Sequence, residues 1–233
     1  MIYAENIFLC ITAPVLLSLF FLRKNAHRFV VFFLIGMGMC LTGAYITGFV
    51  YQAAGFAEEE AAIFIAPVAE EIQKLLPLLF FLVVFSPSED KLTDAAIGIG
   101  VGFATFENCC YILTAGAGSL PYILVRGLAV GVMHLVTTLA ESGALNLVRR
   151  YRTLSVPGVV GALSLSMTFH ALYNLLVSEP GVPAVIGYML PLLAAVCLYI
   201  GYRGRIRRKK EEPPARVKNV LMNAGKEETT DEV

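Results

Sequence analysis

The chain has 233 residues, of which 57% are hydrophobic and 15% charged, and its mean hydropathy is +0.71. A water-soluble domain carries about 25% charged residues, so this composition excludes one and predicts an all-α, polytopic membrane protein. Acidic and basic residues balance at 18 each and assign no partner, and the five cysteines (Cys10, Cys40, Cys109, Cys110, Cys197) lie in apolar runs without CxxC spacing, which indicates neither a zinc knuckle nor a disulfide framework.

A helix needs about 20 mostly apolar residues to cross the hydrocarbon core. Seven stretches qualify, at roughly 4–22, 29–52, 61–85, 95–115, 121–148, 156–178 and 183–203. The first has no basic run before it and no small-residue cleavage site before Arg23, unlike a cleavable signal. Arg23, Lys24 and Arg28 flank the first loop; the second holds Glu58, Glu59 and Glu60; the third has Lys91; the fourth, 114–120, is uncharged. The fifth carries Arg149, Arg150 and Arg152, the sixth only Glu179, and a cluster from Arg203 to Lys210 follows the last stretch. Basic loops thus alternate with non-basic ones, which predicts an outside N-terminus and a cytoplasmic C-terminus. The expected organisation is one transmembrane domain over 1–204, with a catalytic core at about 58–178. A polar tail over 205–233, with Pro213-Pro214, is expected to be disordered in the cytoplasm.

Gly98-Ile-Gly100-Val-Gly102 does not match a nucleotide-binding loop and lies inside a spanning stretch. Gly98 and Gly102 have the four-residue spacing that lets membrane helices approach closely, and Gly36, Gly38, Gly43 and Gly48 read the same way.

The chemistry lies in polar groups at depth. The third stretch carries Glu70, Glu71 and Lys74 near its centre, between Pro67 and Pro77. Each ionisable group costs ~2.5–3.5 kcal/mol at a helix centre. Glu70 and Lys74 are one turn apart on one face, with Glu71 beside them. A Glu–Lys pair neutralises one carboxylate and leaves the other in need of a proton, a metal or a second partner. An ion pair that only locks helices together needs a single Glu. Glu107 and Asn108 follow on the fourth stretch, Arg126, His134 and Glu141 on the fifth, and His170 and Asn174, four residues apart, on the sixth. A rise of 1.5 Å per residue puts Glu70 ~14 Å, Glu107 ~12 Å, His134 ~12 Å and His170 ~9 Å below the outer surface. Four helices therefore deliver polar groups to one layer in the outer half of the membrane.

Imidazole and carboxylate are zinc ligands, and a catalytic zinc holds three protein ligands plus water. A carboxylate can take that water's proton, and an amide can hold a developing oxyanion. HExxH and GxSxG are absent, and Asp90 and Asp94 lie at a loop, so zincin, rhomboid-like serine and presenilin-like aspartyl chemistry do not fit.

The order Glu70-Glu71-x-x-Lys74, Phe103-x-x-x-Glu107-Asn108, Arg126 with His134, and His170-x-x-x-Asn174 resembles the PrsW family, in the CAAX-protease and bacteriocin-processing superfamily of intramembrane metalloproteases. The resemblance covers roughly residues 58–178. It implies hydrolysis of peptide bonds in single-span regulatory proteins such as anti-sigma factors, at the cell membrane. It implies Glu70 and Glu71 as water-activating carboxylates and His134 and His170 as binders of metal or water. Related CAAX proteases carry His where this chain has Glu107. On this reading Glu107, His134 and His170 hold a divalent metal, with zinc expected. Glu70 is the general base, with Glu71 an alternative; Glu71 is its partner and the counter-ion of Lys74, and Asn174 is an oxyanion donor. Glu141, seven residues past His134, is expected outside the centre. The expected partners are the lipid bilayer and a single-span protein substrate, with no nucleic acid. A proton- or cation-coupled transporter and a noncatalytic scaffold like the γ-secretase subunit Aph-1 are the competing readings. The first should show internal repeats, which are not seen, and the second needs no complete water-activating set.

Overall fold

The computed structural model describes residues 26–115, 118–151, 153 and 155–211. Six long α-helices and no strand occur among them: α1 Ala26–Ala54, α2 Ala66–Phe85, α3 Glu89–Ala115, α4 Leu120–Arg150, α5 Ser155–Ser178 and α6 Val182–Glu211. The expected first stretch, 4–22, lies outside the described residues. α1 and α3 to α6 are long and apolar enough to cross a membrane. α2 matches the third stretch, but Glu70, Glu71 and Lys74 interrupt its apolar run. It needs internal partners for those charges before lipid can surround it.

The helix boundaries follow from local chemistry. α1 stops at Gly55, which takes φ +72° and returns its N–H to Tyr51 O at 3.0 Å, a left-handed glycine stop. α2 ends at Ser86, also left-handed, whose N–H reaches Leu82 O, and Pro87 bars continuation. α3 starts at Glu89, six residues before its apolar run, because Glu89 and Asp90 occupy the first turn, where acids complement the helix dipole. α6 runs on through 205–211, the first residues of the expected tail.

Contacts divide the chain into one unit ending at Ala194 and a second beginning at Ala195. In the first unit, α3 packs between α1 and α4, α5 lies against α4, and α2 touches α1, α3, α4 and α5. Two-thirds of the most apolar window of α3 and of α4 is buried, against 22% in α1 and 17% in α5. The pair α3–α4 is therefore the interior, and α1 and α5 turn side chains such as Phe49 and Val156 outward.

Glycines set the closest approach. A Cβ on Gly102 would run into Phe33 O, one on Gly36 into Ile99 O, and one on Gly98 would lie 2.9 Å from Phe29 O. This is backbone-to-backbone packing of α1 on α3. Gly38 and Gly48 meet nothing within 4 Å, so the packing role expected of them does not hold: they face away from the seam. A Cβ on Gly100 would lie 3.0 Å from His134 O, so the close packing extends to α4 beside the site.

Candidate active site and metal centre

The entry to α2 is irregular. A helical turn, Glu58–Glu60, passes into a π turn, Ala61–Ile65, and then into α2 with Pro67 in its first turn. α2 then presents Glu70, Glu71 and Lys74 to α3, α4 and α5. Glu71, Lys74 and His134 are fully buried and His170 is 3% exposed.

Lys74 is the hub. Its Nζ lies 2.7 Å from Glu71 Oε2, donates to Thr137 Oγ1 at 2.7 Å, and lies 3.2 Å from His134 Nδ1. The residue one turn back, Glu70, is not its partner. The i,i+3 pair forms instead, because Glu71 points inward with Lys74 while Glu70 turns toward the rim, its side chain 18% exposed.

The imidazoles are oriented by what they touch. His170 Nδ1 lies 2.6 Å from Glu71 Oε1. A carboxylate only accepts, so Nδ1 carries the proton and the Nε2 lone pair is left free. That Nε2 faces Glu70 Oε2 at 3.7 Å, and Glu70 Oε2 is buried with no hydrogen bond. An ammonium only donates, so His134 Nδ1 accepts from Lys74. Its Nε2–H then donates to Glu107 Oε2 at 2.5 Å. Thr138 Oγ1 donates to His134 O at 2.7 Å, and the Phe103 ring packs on the imidazole with centroids 4.8 Å apart. The two imidazoles stand edge to face, 5.1 Å between centroids.

One ligand atom each from Glu70, His134 and His170 lies within 4.8 Å of the others. This donor set suits a divalent metal. Two imidazoles and a carboxylate match catalytic zinc, and an oriented His170 backed by Glu71 is the usual outer support of a metal-binding imidazole. The orphaned Glu70 oxygen lacks the one partner such an ion would provide. Charge agrees: among the described residues the cations paired with Glu70, Glu71 and Glu107, apart from the two histidines, are Lys74 and Arg126, and buried charge without a partner is costly. Glu107 is the other expected ligand. Its side chain is 30% exposed and sits behind His134 Nε2, held also by Arg126 Nη2 at 3.5 Å.

Around this centre, Arg126 Nη1 donates to Asn108 Oδ1 at 2.6 Å, and its guanidinium stacks on Tyr111 at 3.5 Å. Asn174, expected as an oxyanion donor, gives its amide to Ala62 O at 2.9 Å. Glu141 is buried with neither carboxylate oxygen hydrogen-bonded and is not among the grouped ligand atoms. Sequence reasoning missed Thr137 and Thr138, although their i+3 and i+4 spacing from His134 puts them on its face. It also missed the Tyr111 stack, which joins two helices and leaves no spacing signal.

These observations define a class: a helical bundle of membrane-spanning character with a candidate metal-ligand site built from three of its helices, α2, α4 and α5. Residues 24–201 match the PrsW family intramembrane metalloprotease. The chain belongs to that family and is a membrane protease. Comparison with curated proteins and with solved structures gives no match.

Proposed function

We propose that the protein uses this centre to hydrolyse single-span membrane proteins of the anti-sigma-factor kind, in the cell membrane, through a zinc ion held by His134, His170 and a carboxylate. Seven spans with the N-terminus outside would place the centre in the outer half of the membrane. The observation that carries the reading is the grouping of Glu70, His134 and His170 ligand atoms within 4.8 Å.

When bound, the ion supplies Lewis-acid activation of water and of the scissile carbonyl. The chain's own residues do the rest. Glu71 holds His170 Nδ1–H and so aims Nε2 at the centre. Lys74 neutralises Glu71 and donates to His134 Nδ1, which fixes the tautomer of that ring. To offer Nε2 as a ligand, His134 would have to change tautomer: Lys74 would give a proton to Nδ1 while the Nε2 proton passes to Glu107, already hydrogen-bonded there, so that the ring stays neutral. This geometry favours an exchange of the roles expected for two carboxylates. Glu70 is the third ligand, and the partly exposed Glu107 is the proton carrier that serves water and leaving group. Arg126 and Asn108 hold Glu107 in that position.

Metal analysis of the purified full chain, with proteolysis of a single-span reporter, tests this. Wild type should hold about one zinc per chain, His134→Ala with His170→Ala none, and Glu70→Gln much less than wild type. Glu107→Gln should retain zinc and lose cleavage. Full zinc content in the double histidine variant would sink the reading.

A further inference from the structure

The carbonyl of Ala62 is stranded by the backbone around it. The N–H of Ala66, its partner in a regular α-helix, goes to Ala61 O one residue earlier, which is the π pattern. In that pattern the donor for Ala62 O would be residue 67, and residue 67 is proline, which has no N–H. The donor comes from another helix, as Asn174 Nδ2 lies 2.9 Å from Ala62 O. Irregular backbone in a spanning segment is tolerated where protein re-satisfies the freed groups, and here the Asn174 amide does so for Ala62 O.

We propose that Asn174 is a positioning residue that holds the π turn Ala61–Ile65, and through it sets the rotation at which α2 presents Glu70 and Glu71 to the histidines. A one-residue change of register rotates everything downstream by about 100°, so the state of this turn decides which carboxylate faces the centre. The same face of α5 holds the segment a second time, one turn earlier, where His170 Nδ1 lies 2.6 Å from Glu71 Oε1. α5 thus grips both the irregular turn and the site it aims. The amide of Asn174 is occupied by backbone and acts on the centre through Ala62. The link to the metal rests on the function proposed above; the link to the π turn does not.

The test uses the full chain in detergent and two readouts that need no substrate: deuterium exchange of the amides at 61–66, and Co(II) titration followed by its visible absorption. Asn174→Leu should speed that exchange at least tenfold and weaken Co(II) at least fivefold. Asn174→Asp, the same size but with no amide hydrogen to donate, should do the same, which separates loss of the donor from general disruption. Pro67→Ala restores an N–H five residues from Ala62, so adding it to Asn174→Leu should bring exchange back to within threefold of wild type. Unchanged exchange in Asn174→Leu and Asn174→Asp would overturn the proposal and return Asn174 to a substrate-facing role. So would the absence of any recovery in the Pro67→Ala, Asn174→Leu double variant. If wild type takes up no Co(II), the metal reading fails and exchange alone decides the role of Asn174.

Discussion

Lys74 touches Glu71, Thr137 and His134 with no exposure to solvent, and each contact depends on the others. Removing one partner of a buried ion pair leaves an uncompensated charge, which costs about 3–5 kcal/mol. Lys74→Met should therefore lower stability by that order, read from unfolding in detergent, while Lys74→Met with Glu71→Leu should recover much of the loss. A single-variant cost under ~1 kcal/mol would contradict the pairing. Glu71→Gln keeps its shape but weakens its hold on His170 Nδ1–H. Loss of such outer support typically costs 10–100-fold in metal affinity, so zinc affinity should fall by that factor. Glu141 is a contrasting case, buried and without a hydrogen bond. Seven residues put it ~10 Å from His134 along α4. Glu141→Gln should keep most proteolysis of a single-span reporter, and loss as complete as for Glu70→Gln would move the boundary of the site.

Between elements, the seam of α1 and α3 depends on hydrogen atoms standing where side chains would be. A side chain at Gly102 meets Phe33 backbone and one at Gly36 meets Ile99 backbone, and backbone cannot swing aside as a long side chain can. Gly102→Leu should separate α1 from α3 and shift Phe103, which packs on His134. The expected cost is about 1–3 kcal/mol, as for overpacking elsewhere. Gly48→Leu, at a position facing open space, should be nearly neutral. Melting temperatures of the two variants in one detergent compare them directly, and equal shifts would refute the seam. α2 shows the opposite strategy: with three charges in its middle it is held by ion pairs and hydrogen bonds to α4 and α5.

For the molecule as a whole, the arrangement in the membrane follows from where cations lie. Arg149 and Arg150 close α4, and the run from Arg203 to Lys210 closes α6. Cationic loops stay on the cytoplasmic side, so a cysteine at Arg208 should react with an impermeant maleimide only after the membrane is opened. Labelling from outside intact cells would reverse the orientation. Glu70 and Glu107 are the partly exposed carboxylates of the centre, while Glu71, His134 and His170 are closed off. Water and substrate would reach the site along that Glu70–Glu107 edge.

The helices and their membrane class were legible in the sequence because both rest on local composition. An apolar run long enough to cross declares itself, and so does a charge inside it. The family was legible because its short motifs keep their order along the chain. Spacing within one helix also placed His170 with Asn174 and Glu70 with Lys74. It could not say which neighbour each group would choose, since the distance between two helices is set by packing that no single helix encodes. Spacing left Lys74 both Glu70 and Glu71 within reach, and packing selects Glu71, the counter-ion expected of it; packing also decides that Glu70 rather than Glu107 groups with the two histidines. Asn174 is the clearest case. Its partner is a backbone carbonyl 112 positions away, freed by a π turn and a proline. Only the folded chain brings that carbonyl and that amide together.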